Sequence, residues 1–290
     1  MTPGQRLREL VAQPEIVVLP GVHDALSAKL AQAHGFEAIL AGGNAANGIL
    51  LGQSDLGQLS MRDLVDHYAR IADAVDIPLL VDADTGFGSV HSIREMVRKF
   101  EHAGVAGFFM EDQTTPKRCG YLDGKAVISV KEMQGKLMAA LDARRDSSLM
   151  IIARTDAFSI EGKNAAIERA QAYLETGVDM TFVQGADTVE DLSEVCKKID
   201  CPQLANVSQA AATSGMSAKT IEKAGAAAVM FSIMAMLAAA QGVDKLLGCL
   251  KRDGDTAALG HELMPIARYN EIVGLRDAEA REKRFGIQPG

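Results

Sequence analysis

Eight short apolar runs recur along this chain, each followed by a longer amphipathic stretch, and no other feature restricts its fold so tightly. The runs cover residues 16–19, 38–41, 78–82, 107–111, 150–154, 180–184, 203–207 and 227–231. Each is apolar nearly throughout, as expected of parallel strands covered on both faces. Helix-like segments fall at 24–34, 61–75, 92–103, 130–143, 164–175, 189–199 and 218–223. Several stop at a glycine, as at His34-Gly35, Ala103-Gly104, Thr176-Gly177 and Ala224-Gly225, the position where a left-handed residue ends a helix. Ser129 and Glu132 have the spacing of a capping box. Eight strands in strict alternation with helices predict an α/β fold, a (β/α)8 TIM barrel. A doubly wound open sheet fits the same alternation.

A chain of 290 residues with 48% hydrophobic content can bury the core of one large domain. Beyond the helix-like 233–250 comes the turn RDGD, then a charged helical stretch through Arg284. Residues 255–290 are thus one helix more than a barrel requires. No internal repeat, low-complexity tract or Pro/Gly/Ser-rich linker divides the chain, so a single domain, 1–290, with 255–290 as a helical extension is expected. No apolar run approaches the roughly 20 residues of a membrane span. The start, MTPGQRLREL, carries both charge signs and lacks the pattern of a signal peptide, so a cytoplasmic location is expected. The net charge of −8 is spread along the chain with no basic block, which argues against nucleic acid and anionic membranes as partners. Cys119, Cys196, Cys201 and Cys249 are scattered without a CxxC pair, so neither zinc nor a disulfide framework is indicated.

A barrel carries its active site at the C-terminal ends of its strands, so polar residues there draw attention. The third run ends in Asp82-Ala83-Asp84-Thr85-Gly86-Phe87-Gly88. Two carboxylates two residues apart on an extended segment point the same way and suit a hard divalent cation with its waters. Capping of the next helix is the blander use of such aspartates. Glu111-Asp112 ends the fourth run and Arg154 the fifth. So much acid at adjacent tips repels itself unless a cation sits among it. Arg154 suits a substrate carboxylate; an ion pair with Asp156 or a site acid competes evenly. Gly42-Gly43-Asn44 closes the second run, where amides free of a Cβ can approach a carboxylate or oxyanion, although a lone GG is more often a plain turn. Residues 113–128 are longer than an ordinary βα loop and read as a lid. They carry Lys117-Arg118-Cys119-Gly120-Tyr121, two cations flanking a thiol that would be reactive there and draw in an anion. Cys196, Cys201 and Cys249 read as structural, and Met230, Met234 and Met236 as packing.

The set GGN (42–44), SDLG (54–57), VDADTGFG (81–88), MEDQ (110–113), PKRCG (116–120), ARTDA (153–157) and LANV (204–207) resembles the isocitrate lyase/phosphoenolpyruvate mutase superfamily. Order and spacing match over residues 16–231. The likeness is greatest to its short bacterial members, the methylisocitrate lyases, dimethylmalate lyase-like enzymes and carboxyphosphonoenolpyruvate mutases. The resemblance implies a Mg2+-dependent carbon–carbon lyase that cleaves a 2-hydroxy, 2-methylmalate or methylisocitrate-like acid to a 2-oxo acid such as pyruvate plus a second carboxylate, with Mn2+ as a substitute ion. It implies that Asp82 ligates the ion directly and that Asp55, Asp84 and Glu111 hold its waters. Gly42, Gly43, Asn44 and Arg154 would hold the 2-oxo-acid carboxylate, Gln184 and Asn206 the distal part, and Cys119 would be the lid acid. It also implies a homotetramer that exchanges a C-terminal helix. Three positions depart from the lyases: Tyr121 replaces a histidine, Gln184 a glutamate (another is missing near Gln209), and Leu40 a tyrosine. Oxaloacetate decarboxylation and phosphonopyruvate or carboxyphosphonoenolpyruvate phosphonomutase chemistry compete on the same site. A catalytically dead barrel used for binding is a third reading, opposed by the presence of Asp82 and Glu111.

Overall fold

The computed structural model describes residues 1–209 and 212–286. All eight apolar runs are strands: β1 Val17–Val22, β2 Ile39–Ala41, β3 Leu79–Asp82, β4 Gly107–Glu111, β5 Met150–Thr155, β6 Met180–Val183, β7 Leu204–Val207 and β8 Ala228–Phe231. All pair in parallel in the order β6-β5-β4-β3-β2-β1-β8-β7. A parallel bridge between Thr181 and Gln203 joins the two ends of that order. The sheet therefore curls into a nearly closed TIM-type barrel, which sets the open doubly wound sheet aside.

The helices are α1 Pro3–Val11, α2 Ala25–Ala33, α3 Gly43–Leu51, α4 Met61–Asp73, α5 Val90–His102, α6 Val130–Ala143, α7 Phe158–Glu161, α8 Lys163–Leu174, α9 Val189–Lys198, α10 Ala218–Ala224, α11 Met234–Asp253, α12 Ile266–Ile272 and α13 Leu275–Arg284. Ser129 caps α6 by accepting from the Glu132 amide at 3.2 Å; among the bonds of the described residues, Glu132 does not return the contact that would complete a box. Three helices, α1, α3 and α7, lie outside the sequence expectation. The sequence 43–51, GNAANGILL, has no apolar stripe at helical spacing, which is why α3 is hard to read.

Two apolar layers follow from the two faces of the strands. Leu19, Leu40, Leu80, Phe109, Ile152, Phe182, Leu204 and Met230 fill the barrel, with Leu7, Leu10 and Val11 of α1 joining the same cluster. Arg8 Nε, also on α1, donates to the Ser148 carbonyl just ahead of β5 at 2.8 Å, which fixes α1 beside the N-terminal end of the barrel. The alternate strand residues Val81, Phe108, Met110, Ile151 and Ala153 pack outward against the helices. Only the opposite, C-terminal mouth is left for chemistry. Among the described residues no helix is long and apolar enough to cross a membrane.

Candidate active site

Side chains alternate across a strand, so the residue two beyond an interior apolar residue faces the same interior at the mouth. Leu80, Phe109, Ile152, Phe182, Leu204 and Met230 face inward. Two residues on stand Asp82, Glu111, Arg154, Gln184, Asn206 and Ser232. Six of the eight strands thus change from apolar to polar at the mouth, while β1 and β2 reach Gly21 and Gly42 there, and the register that sets Glu111 against Arg154 keeps those two groups level.

Nine of the sequence-derived candidates line one cavity: Gly42, Gly43, Asn44, Asp55, Asp82, Cys119, Arg154, Gln184 and Asn206. Its free space is about 50 Å³, room for a few water-sized groups and so for a small acid. Asp84 and Glu111 are buried just behind the lining. Lys117, Tyr121 and Ser232 also line it; of these, Lys117 and Tyr121 are visible in the sequence only as neighbours of Cys119. Ser232 follows the end of the eighth run, and its signal is the apolar-x-polar step from Met230.

The acids converge, though not along an extended strand. Asp82 ends β3, and its Oδ1 accepts the Asp84 amide at 2.9 Å. Asp84 itself lies in the left-handed region at φ 46°, which costs a non-glycine residue roughly 1–3 kcal/mol. That turn, rather than strand alternation, brings the second carboxylate back into the site. Asp82 Oδ2 accepts the Gly43 amide at 3.2 Å. Gly42 and Gly43 are therefore no plain turn: they open α3, whose N-terminal amides point toward the acids, as suits an anion or a carboxylate. A Cβ on Gly43 would stand 3.0 Å from Asp84 Oδ1 and 3.3 Å from Asp82 Oδ2, so the glycine keeps that space clear.

Lys117 Nζ reaches Asp55 Oδ2 at 2.6 Å and Asp84 Oδ1 at 2.7 Å. Burial alone would lower the Lys117 pKa, but Asp84, Glu111, Asp82 and Asp55 outweigh it and hold the ammonium charged. Burial pushes the Asp84 carboxyl up to about 7, with Lys117 opposing and Asp82 and Asp55 adding to the rise. Burial likewise pushes Glu111 well up despite Arg154. Such upward shifts mark buried carboxylates whose cationic neighbours do not offset the cost of burial, with the nearby acids adding to the rise.

Arg154 forms the ion pair that was one of its two expected roles, and it does so at the cavity wall. Its Nε and Nη2 hold Asp156 at 2.9 and 3.1 Å, and Nη2 lies 3.0 Å from Glu111 Oε2. The guanidinium carbon stands 5.3 Å from the Phe182 ring centre and 5.9 Å from that of Phe109. The group still lines the cavity, locked in direction and ready for a ligand carboxylate.

Asp112 departs from the expectation of a third acid at the mouth. Fully buried, it turns outward and accepts from Thr155 Oγ1 (2.7 Å), the Asp156 amide (3.0 Å) and Tyr173 OH (2.7 Å). It thereby fixes the backbone that carries Asp156, and through it Arg154. Tyr173→Phe removes one donor from this buried carboxylate and should cost roughly 1–3 kcal/mol of stability with activity per folded molecule retained; urea unfolding beside kinetics checks this.

The lid lies closed over the mouth. The Gln113 side chain accepts the Arg118 amide at 3.0 Å and donates to its carbonyl at 2.9 Å, while the Cys119 amide donates to Asp55 O at 3.2 Å. The two cations flanking Cys119 do not face its sulfur: Lys117 points to the acids, and exposed Arg118 bonds the Asp123 carbonyl. The sulfur instead receives Asn44 Nδ2 at 3.4 Å. A Cβ on Gly120 would fall 2.7 Å from Arg154 Nη2 and 3.0 Å from Gln184. Arg154 is held on two sides, so Gly120→Ala should lift the lid instead. The expected result is a loss of about 100-fold in kcat/KM with an unfolding free energy within about 0.5 kcal/mol of wild type, measured by kinetics and denaturant melting.

These residues fit a hard divalent cation. Among the described residues the five carboxylates of Asp55, Asp82, Asp84, Glu111 and Asp156 have three cationic partners, Lys117, Arg154 and Lys125, the last 3.5 Å from Asp156, and Glu111 Oε1 is buried without a hydrogen-bond partner. Among the described residues no three acids form a direct ligand cage. Mg2+ keeps several waters and takes one or two carboxylates, so acids acting through water suit the arrangement.

Known proteins share this fold and sequence. A family model described as phosphoenolpyruvate phosphomutase matches residues 7–249. The 2-methylisocitrate lyase of Aeropyrum pernix is 36% identical over 280 residues, 97% of this chain and 90% of that protein. The 2,3-dimethylmalate lyase of Eubacterium barkeri is 33% identical over 285 residues, 98% of this chain and 99% of that one. Among solved structures, oxaloacetate acetylhydrolase bound to 3,3-difluorooxalacetate superimposes with a TM-score of 0.94 at 30% identity, covering 100% of this chain and 99% of that one. A phosphonopyruvate hydrolase complex with oxalate and Mg2+ reaches 0.89 at 28% identity, covering 98% and 99%. With the family's model spanning most of its length and its barrel and strand-end residues in place, this chain belongs to the isocitrate lyase/phosphoenolpyruvate mutase superfamily.

Proposed function

We propose that this enzyme of the oxo-acid lyase type cleaves a carbon–carbon bond in a 2-hydroxy acid of the 2-methylmalate kind, giving a 2-oxo acid such as pyruvate and a second carboxylate. The observation that carries the reading is the convergence of Asp82, Asp84, Asp55 and Glu111 beside Cys119 under a closed lid. Asp82 would hold Mg2+, with Asp55, Asp84 and Glu111 on its waters; the phosphonopyruvate hydrolase complex with Mg2+ and oxalate supports that ion. When bound, the ion supplies Lewis acidity that lowers the pKa of a substrate hydroxyl.

The chain's own groups do the rest. The α3 amides, Asn44 and Arg154 hold the substrate carboxylate and fix its direction. As the hydroxyl passes its proton to one of the crowded site carboxylates, Asp84 or Glu111, both raised in pKa by burial, the bond to the neighbouring carbon breaks. The oxygen becomes the carbonyl of the 2-oxo acid, and the bonding pair passes to the departing fragment. Cys119 Sγ–H delivers a proton to that carbon, and the lid, pinned by Gln113 and Lys117, keeps water out. The exposed apolar side chains Val243, Leu247, Leu263, Ile266 and Phe285 on α11 and beyond support assembly into a homotetramer that exchanges its C-terminal helices, with 1–290 as one barrel domain.

Oxaloacetate is the second substrate to consider, because the acetylhydrolase neighbour binds a difluoro analogue of it. Product analysis on 2-methylmalate, 2,3-dimethylmalate, oxaloacetate and phosphonopyruvate, each with and without Mg2+, tests the reading. Pyruvate from an alkylmalate, dependent on the metal, is expected. Turnover of phosphonopyruvate alone would replace the lyase with phosphorus–carbon chemistry.

A further inference from the structure

Beyond Cys119 the cavity changes character. Its far wall is built from Tyr121, Gln184, Asn206 and Ser232, with Leu40 and Met230 beneath. The four polar groups bond one another: Ser232 Oγ donates to Asn206 Oδ1 at 3.0 Å, and Asn206 Nδ2 donates to Tyr121 OH at 2.8 Å and to Gln184 Oε1 at 3.5 Å. None carries charge at neutral pH, and burial pushes the Tyr121 phenol further up. The segments leaving β6, β7 and β8 add no cation either: residues 184–188 read QGADT, 208–217 SQAAATSGMS and 232–236 SIMAM. Lys117 and Arg154 are the cations lining the cavity, and both are already paired with acids.

Resting on the lyase reading above, we propose that this wall selects the departing fragment, admitting one that bears a single carboxylate and excluding one that bears two. One carboxylate is unavoidable, since it stabilises the electron pair left on the carbon that Cys119 protonates. A second, on a longer arm, would have to leave water for a neutral, mutually satisfied wall with no cation to meet it. The substrate class is therefore dicarboxylic 2-hydroxy or 2-oxo acids, and the tricarboxylic 2-methylisocitrate, whose departing fragment is succinate, is a poor one. Tyr121, Gln184, Asn206 and Ser232 are specificity-determining residues on this view.

The test compares kcat/KM for 2,3-dimethylmalate and 2-methylisocitrate in the full-length protein with Mg2+. A preference for the dicarboxylate on the order of 100-fold is expected, and Gln184→Lys, which places a cation on the wall, should shrink that preference at least about tenfold. Equal or better turnover of 2-methylisocitrate by the wild type would overturn the proposal while leaving the lyase reading intact. If neither acid is cleaved, and 2-methylmalate is not cleaved either, the lyase reading falls. The wall is then judged by binding: the two acids titrated calorimetrically with Mg2+ must still differ at least tenfold in Kd, or the selectivity is absent.

Discussion

Asp82→Asn is expected to lose about three orders of magnitude in kcat/KM and all magnesium-linked binding of oxalate. Both oxygens of Asp82 are engaged, one by the Gly43 amide and one by the Asp84 amide. It therefore joins the start of α3 to the turn that returns Asp84. Removing its charge takes away the direct metal ligand proposed here, and metal-assisted stabilisation of the developing oxyanion is worth several kcal/mol, each 1.36 kcal/mol being tenfold in rate. Asp112→Asn is the matched control. It removes a neighbouring buried carboxylate that faces away from the cavity toward Thr155 and Tyr173, so stability should fall while binding stays coupled to the ion. Steady-state kinetics and urea unfolding on both variants give the comparison. Activity within tenfold of wild type in Asp82→Asn would remove the metal role assigned to it.

Cys119→Ala has the next largest expected effect, about 10²- to 10⁴-fold in kcat, the range for loss of a positioned acid. Its thiol sits in the cavity with Asn44 as hydrogen-bond partner. The segment that carries it is pinned independently, by Gln113 on Arg118, by Lys117 on two acids and by the Cys119 amide on Asp55. The lid should therefore still close in the variant, and Mg2+-dependent binding of pyruvate or oxalate should survive. Single-turnover kinetics beside calorimetry separates the two effects. Full turnover by Cys119→Ala would end the role of the thiol as acid.

The barrel was legible because its code is local. Strands buried on both faces are short apolar runs, and each break between them carries a helix. Closure was not legible, because it rests on the Thr181–Gln203 bridge between the first and last strands of the sheet order, and no local pattern encodes that. The mouth was partly legible. Asp82, Glu111, Arg154, Gln184 and Asn206 each stand two residues past an interior apolar side chain, and an alternation rule finds them. The same rule extended one residue past β8 finds Ser232. Asp112, two residues past the outward-facing Met110, follows the same rule to the helix side, where Thr155 and Tyr173 hold it. Lys117 was misjudged as a neighbour of the thiol because its partners lie on other loops; Asp55 is 62 residues away in sequence. Helix α3 was hidden by its glycines and asparagines, residues that disfavour helices yet leave its first amides free to meet Asp82.

The most direct test of a metal-gated acid site is calorimetric titration of oxalate into the full-length protein, once with Mg2+ and once in EDTA. Oxalate should bind with the ion and show no measurable heat without it. Equal binding in both solutions, or none in either, would contradict a site in which these carboxylates grip a divalent ion to receive a 2-oxo acid.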